Sequence, residues 1–204
     1  MSHQLAVTGN HYNMSPAIEN LSKSVLIDNN RHTFVPSEIY QEDEKSQYLD
    51  FLGLTNDDFI VLADYIKLAD MYNVYAVSKD EYEILRNTHE NLKIQHASSV
   101  LVESLIKDNM ERTDIARVYL NIKEQNFDMT VLKGCNLLFN NNFHFKTQED
   151  FLYFLLFTLE QLHLEAESVP VYFMGMIMED SKLVELTSRY VRDIRFKKEI
   201  TCEL

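Results

Sequence analysis

Asn121 and Asp128 flank a short polar turn, Lys123-Glu124-Gln125, between two apolar-alternating stretches. An amide and a carboxylate so placed could imitate the acid pair of a metal-dependent nuclease. That chemistry needs several acids converging on two metal ions, and no third acid comes from a neighbouring stretch. Asp128 therefore reads as an aspartate on the outer, solvated face of a strand. The seven histidines include no pair one helical turn apart; His89 and His96 span a predicted loop and strand and suit ordinary roles better than metal binding. No Gly-x-Ser-x-Gly elbow, phosphate-cradling Gly-rich loop or dinucleotide fingerprint occurs. With four glycines in 204 residues, chemistries that need a side-chain-free turn are poorly provided for. No catalytic residue, metal site or cofactor is expected.

Two further groups suggest recognition rather than reaction. Arg189, Arg192, Arg195, Lys197 and Lys198 form a basic cluster near the C-terminus. It could dock an acidic partner or RNA, but such clusters are more often solvated helix ends. Tyr40, Tyr48, Tyr65 and Tyr72 fall outside the apolar patterns, and tyrosine is enriched in interfaces. Tyr40, Tyr48 and the basic cluster form the candidate partner surface.

The overall charge narrows the partners. There are 32 acids against 19 bases, a net charge of −13, which opposes a phosphate backbone and an anionic membrane alike. A protein partner or a second copy of the chain remains favoured. Cys135 and Cys202 stand far apart and read as free thiols. Neither a signal peptide nor an apolar run of bilayer length is visible, so a cytoplasmic location is the default.

The elements that must position these residues can be read along the chain. Ser15-Pro16 starts a short helix through Leu21. Ser24 to Asp28 and Thr33 to Val35 read as strands around Asn29-Asn30-Arg31, and acidic residues from Glu42 open a helix ending near Gly53. Phe59 to Ala63 and Val74 to Val77 look like a strand pair, and Ser78 with Glu81 has capping-box spacing for a helix to Thr88. Leu92 to Gln95 is a strand and Ser98 to Lys107 a helix. A polar break at Asn109 to Asp114 divides the chain into 1–110 and 111–204.

The second part reads strand, strand, strand, helix, strand, helix, strand. Val118 to Ile122 and Phe127 to Leu132 alternate as strands. The asparagine run Asn140-Asn141-Asn142 interrupts the third stretch, Leu137 to Phe145. Thr147 and Asp150 cap a helix to Leu164 that is apolar on nearly every side and so must be covered on more than one face; His163 near its end would favour the helix C-terminus when charged. Val169 to Met174, Ser181 to Tyr190 and Asp193 to Phe196 complete the series. A three-strand meander followed by parallel crossovers builds an actin-like or ribonuclease H-like α/β lobe.

Glu149-Asp150-Phe151-Leu152-Tyr153-Phe154-Leu155-Leu156-Phe157, with Glu160-Gln161-Leu162, resembles the domain-of-unknown-function 3822 family of Bacteroidetes bacteria. Val35-Pro36-Ser37-Glu38 supports the likeness, which extends from about Leu26 to Phe196. The resemblance implies an actin-like ATPase fold of two lobes, with nucleotide between them in active relatives. Those relatives carry a glycine-rich phosphate turn where this chain has Asn121-Ile122-Lys123-Glu124-Gln125-Asn126-Phe127-Asp128, with no glycine. Their adenosine-binding strand ends in two glycines, matched by Gly175 and Met176, whose side chain would crowd a purine. Asn121, Lys123, Glu124, Asp128 and Gly175 thus mark a vestigial nucleotide cleft. Only Met1 to Asn13 precede the first helix, so the N-terminal lobe is expected to be reduced or truncated, leaving edges around Val25 to Asp28 without neighbours. The expectation is a pseudo-ATPase serving as a non-catalytic protein-binding or scaffold protein. A regulatory nucleotide binder using the old cleft is the alternative, and an RNA-associated factor a remote third.

Overall fold

The computed structural model describes residues 5–7, 24–88, 92–111 and 115–197. They fall into two compact units, one within 1–103 and one within 104–201. The helix expected from Ser15, Lys198 and Cys202 lie outside the described residues.

In the first unit, β1 (Leu5–Val7), β2 (Ser24–Ile27) and β3 (His32–Pro36) precede two 3-10 turns, Ser37–Ile39 and Glu42–Glu44. Then come α1 (Lys45–Asp50), β4 (Phe59–Ile66), β5 (Met71–Ser78), α2 (Lys79–Thr88) and β6 (Lys93–His96). Helix α3 (Ala97–Asn109) begins in this unit and ends in the second. Two three-stranded sheets result: β1-β2-β6, all parallel, and β3-β5-β4, all antiparallel. The expected strand pair of β4 and β5 forms over its full length.

The expectation for Val25 to Asp28 is overturned, because β2 lies between β1 and β6 and has a neighbour on each side. Nor do β2 and β3 pair across their polar turn. Instead Ala76 N–H donates to Arg31 O at 2.9 Å, and Asn29 Nδ2 donates to Ala76 O at 3.0 Å, so β5 continues its ladder past β3 into that turn. Asn73 to Val77 of β5 are all buried. Tyr75 and Val77 pack with Val25, Ile27, Leu85 and Leu92, while Val74 and Ala76 pack with Val35, Leu49 and Val61. The alternation of a strand sends successive side chains into separate clusters. Ser78 caps α2 where its spacing predicts, Glu81 N–H donating to Ser78 Oγ at 3.3 Å, and the Ser78 hydroxyl donates back to the Glu81 side chain at Oε2, 2.9 Å away.

The second unit contains β7 (Ala116–Ile122), β8 (Asn126–Lys133), β9 (Asn136–His144), α4 (Gln148–Gln161), β10 (Val171–Gly175), α5 (Lys182–Thr187) and β11 (Ile194–Phe196). Its sheet has the order β11-β10-β7-β8-β9. The first three strands form an antiparallel meander, while β10 joins β7 and β11 joins β10 in parallel. This is the strand series expected from the sequence.

The asparagine run does not interrupt β9. Asn140 Nδ2 donates to Thr130 Oγ1 at 2.9 Å and Asn142 Nδ2 to Asp128 Oδ1 at 2.7 Å, so their amides act as cross-strand partners. The irregularity lies earlier, where the register shifts opposite Val131 and Leu132.

Helix α4 packs Phe151, Leu155 and Leu159 onto Val118, Leu120, Phe127, Met129 and Phe173. It stops earlier than expected, and His163 lies past its end in the left-handed region at φ 55°. Nor is it covered all round: Tyr153 and Phe157 are exposed. Its start is a reciprocal cap, Asp150 N–H donating to Thr147 Oγ1 and Thr147 N–H to Asp150 Oδ2, each at 3.1 Å. Thr147→Ala is expected to lower stability by about 1 kcal/mol, read as a lower urea midpoint at unchanged slope; a midpoint equal to wild type would show the cap idle.

Candidate functional site

Four of the five predicted cleft residues meet at one end of the second sheet. Asn121 and Asp128 are register partners across β7 and β8, and Met174 and Gly175 of β10 lie beside Asn121 and Ile122. Glu124 is exposed in the turn and joins none of the contacts below.

Asp128 is 6% exposed, which corrects its reading as a solvated aspartate. Its Oδ2 accepts from Asn121 Nδ2 at 3.2 Å and from the Lys123 ammonium at 3.1 Å. Its Oδ1 accepts from Asn142 Nδ2 at 2.7 Å. A buried carboxylate needs such donors to offset lost hydration. The ammonium and two amides engage both oxygens, three donors for the roughly four acceptor sites of a carboxylate, which gives Asp128 a structural role between β7, β8 and β9. The turn is closed in the same way, since Lys123 N–H donates to Asn126 O at 2.9 Å. That donor is taken, and no glycine offers close approach for a phosphate.

Gly175 has a local structural reason to be glycine. Its φ is +80°, and a Cβ there would stand 2.4 Å from Ile122 O and 2.6 Å from Asn121 Oδ1. Met176 N–H then donates to the same Ile122 carbonyl at 2.8 Å, while the Met176 side chain is exposed.

The proposed partner-surface residues behave differently from one another. Tyr40 stacks on Tyr72 with ring centroids 3.7 Å apart, and Tyr65 lies 4.9 Å from Tyr72. Tyr48 OH donates to Ile39 O at 2.7 Å and accepts from Gln41 N–H at 3.0 Å. The tyrosines read as free in the sequence therefore brace one another and the loop between β3 and α1. Burial, together with a bond to Glu42, raises the Tyr40 hydroxyl well above the usual phenol range.

Each described member of the basic cluster has an acidic partner. Arg189 pairs with Glu185 at 3.0 Å, Arg192 with Glu167 at 3.3 Å, Arg195 with Asp193 at 2.7 Å, and Lys197 with Asp108. Arg195 also donates to Tyr172 OH at 2.9 Å. These pairs lessen the positive field that an acidic partner or RNA would meet.

Sequence reasoning missed a buried polar network in the first unit. Asp64 Oδ2 accepts from His96 N–H at 2.7 Å and Ser99 Oγ at 2.6 Å, and Asp64 Oδ1 accepts from Tyr75 OH at 3.3 Å. Asn73 Nδ2 donates to Ser99 Oγ at 2.9 Å, which turns its Oδ1 toward His32 Nδ1 at 3.2 Å. His32 Nε2 faces Ser98 Oγ at 3.3 Å. Hydroxyl, imidazole and amide here have the connectivity of a nucleophile, base and orienting group. Ser98 is only 5% exposed, however, and its own N–H donates to His96 Nδ1 at 3.1 Å. A substrate carbonyl has neither access nor that donor, so the network reads as structural.

Burial raises the Asp64 carboxyl above its usual range against the opposing hydrogen bonds of Ser99, His96 and Tyr75. An acid whose folded value is raised favours the fold most below its unfolded value of about 4. That contribution is lost as pH rises through the raised folded value. Urea titrations run upward from about pH 4 are expected to show this loss, and Asp64→Asn to remove it; an unchanged pH profile in the variant would contradict the assignment.

Among the described residues, no group of three or more His, Cys, Asp or Glu could hold a metal. No described helix is long and apolar enough to cross a membrane.

Residues 23–194 match the family described as Protein of unknown function (DUF3822). The chain belongs to this family. Among solved structures, the DUF3822 chain is similar to a protein with an actin-like ATPase fold and unknown function from Bacteroides thetaiotaomicron. The two share 18% identity with a TM-score of 0.79, over 85% of this chain and 67% of that one. It is also similar to a chain of a PilM–PilN type IV pilus biogenesis complex, at 12% identity and a TM-score of 0.56, over 86% of this chain and 69% of that one. No match is found among curated proteins. The DUF3822 chain thus has the actin-like ATPase fold, as its strand order and its resemblance to the family implied.

Proposed function

We propose that this DUF3822 protein is a non-catalytic protein-binding or scaffold protein, an actin-like fold whose nucleotide chemistry has lapsed. The observation that carries the reading is the state of Asp128. Both of its oxygens already accept from Asn121, Lys123 and Asn142, beside a turn without glycine. Scaffolding makes no demand on that turn, whereas phosphate binding requires close backbone approach. The similarity to a chain from the PilM–PilN complex supports a protein partner, because that fold there takes part in a protein assembly.

A second reading is a regulatory nucleotide binder. It draws on the convergence of Asn121, Asp128 and Gly175 at one sheet end.

Phosphate release from magnesium ATP tests the non-catalytic claim. The expected result is the same background rate for wild type and Asp128→Ala. Turnover by wild type that disappears in Asp128→Ala would overturn it.

A further inference from the structure

Arginine meets aromatic rings repeatedly in this chain. Arg31 lies over the Phe59 ring at 4.4 Å, Arg86 over Tyr82 at 5.2 Å and Arg195 over Tyr172 at 5.5 Å. The Arg195 site shows what such a seat is built from. Tyr172 stacks on Tyr119 at 4.9 Å, so its ring is held from behind. Arg195 covers the ring, donates to Tyr172 OH at 2.9 Å, and forks onto both oxygens of Asp193 at 2.7 Å each. A guanidinium there gains from the negative face of a ring and from a bidentate carboxylate together.

The turn between β4 and β5 in the first unit brings together the same parts without the guanidinium. Tyr65 and Tyr72 are register partners across these strands, with ring centroids 4.9 Å apart, and Tyr40 stacks on Tyr72 at 3.7 Å. Tyr65 OH donates to Asp70 Oδ1 at 2.8 Å, which sets a carboxylate at the edge of its ring. The Asp70 backbone is fixed in turn, in the left-handed region at φ 50°, with its carbonyl accepting from Ser37 N–H at 3.0 Å. Bonds from the Ser37 side chain and from Tyr65 hold the Asp70 carboxyl below its usual range, so it stays ionised. Two donors leave about half of the acceptor sites of a carboxylate open. Tyr65 is 50% exposed, and among the described residues no cation lies over its ring.

We propose that Tyr65 and Asp70, backed by Tyr72 and Tyr40, form a seat for an arginine side chain presented by a partner protein. The proposal rests on the protein-binding reading and names the chemistry of the partner for it. Charge selects the occupant. Glu38, Asp43 and Glu44 are exposed on the segment that carries Tyr40, and Lys45, the one base between Pro36 and Asp50, is paired with Glu42. Lys67 is the one base of the β4–β5 turn. A chain of net charge −13 draws a cationic segment toward such a surface. Arginine fits better than lysine, because a planar guanidinium stacks on a ring and forks onto a carboxylate at once. A second copy is a poor source, since its described arginines are already engaged. Acids hold Arg189, Arg192 and Arg195, rings hold Arg31 and Arg86, and Arg117 is buried.

Proton–nitrogen NMR titration of the full chain tests the seat with three end-capped peptides. One alternates arginine and glycine, one alternates lysine and glycine at the same charge, and one is proline-rich and uncharged. The expected result is saturable binding of the arginine peptide, with shifts concentrated at the amides of Tyr65, Asp70 and Tyr72, and weaker binding of the lysine peptide. Tyr65→Leu should weaken the arginine peptide about three- to fivefold, while Tyr65→Phe, which keeps the ring, should retain most of the affinity. Asp70→Asn, which suits the left-handed backbone, should also weaken it. The control Tyr190→Leu, on an equally exposed tyrosine of the second unit, is expected to change nothing. Thermal unfolding establishes that each variant is folded before it is titrated. Absence of saturable binding at about 10 mM arginine peptide overturns the proposal. So does an affinity unmoved by Tyr65→Leu, an equal affinity for the lysine peptide, or a preference for the proline-rich one. Each of these leaves the protein-binding reading standing, since that falls only to nucleotide binding or turnover.

Discussion

Gly175→Ala is expected to destabilise the protein by about 2–6 kcal/mol, out of proportion to the single methyl group it adds. Two costs combine. A non-glycine residue at φ +80° carries backbone strain of about 1–3 kcal/mol. The new Cβ would also stand 2.4 Å from the Ile122 carbonyl oxygen, and relieving it by moving β10 against β7 adds a further 1–3 kcal/mol or so. The Met176 N–H bond to Ile122 O would be disturbed by the same movement. Chemical unfolding monitored by circular dichroism is the check. A loss below about 1 kcal/mol would mean that this glycine does not hold the β7–β10 junction. The expected result supplies a packing reason for a glycine that otherwise reads as a remnant of adenosine binding.

Phe127→Ala is expected to cost about 3–5 kcal/mol, the range for a buried phenylalanine in a core that cannot collapse. Phe127 is fully buried, with its ring 4.6 Å from Phe151, 5.4 Å from Phe143 and 5.8 Å from Phe145. It therefore ties β8 to β9, to the start of α4 and to the chain between them. Removing it opens a cavity bounded by rings anchored on three elements, none of which can move in without leaving another contact. Phe127→Leu should recover more than half of the loss. A Phe127→Ala protein with wild-type stability would contradict the placement of this core.

The second unit was legible because its strands alternate cleanly. Val118, Leu120 and Ile122 point to the α4 face, and Phe127, Met129 and Val131 match them from β8. Thr147 and Asp150 announced the helix start in the same local way. What failed there depended on distant partners. Asp128 looked solvated because its burial is created by Asn142 on β9 and by Lys123 folding back over it. The asparagine run looked like an interruption because nothing local shows that Asn140 would bond Thr130.

The first unit was harder for the same reason. The partner of β3 is β5, with an entire strand and helix between them in sequence, and β2 draws its neighbours from both sides of the unit. The Asp64 network was invisible because each member is ordinary alone. One aspartate within an apolar strand, and serines at a helix start, acquire meaning only when Asn73 and His96 reach the same place. The convergence of Asn121, Lys123, Asp128 and Gly175 at one sheet end was legible, while the closure of the turn by Lys123 and Asn126 was not.

The most direct test of the central claim, a fold without its nucleotide chemistry, is a calorimetric titration of the purified protein with magnesium ATP and magnesium ADP. The account predicts no saturable heat and no thermal stabilisation at millimolar nucleotide. Saturable binding at sub-millimolar affinity, abolished by Asp128→Ala in a variant that remains folded, would contradict it and make the sheet end around Asn121, Asp128 and Gly175 a working nucleotide site.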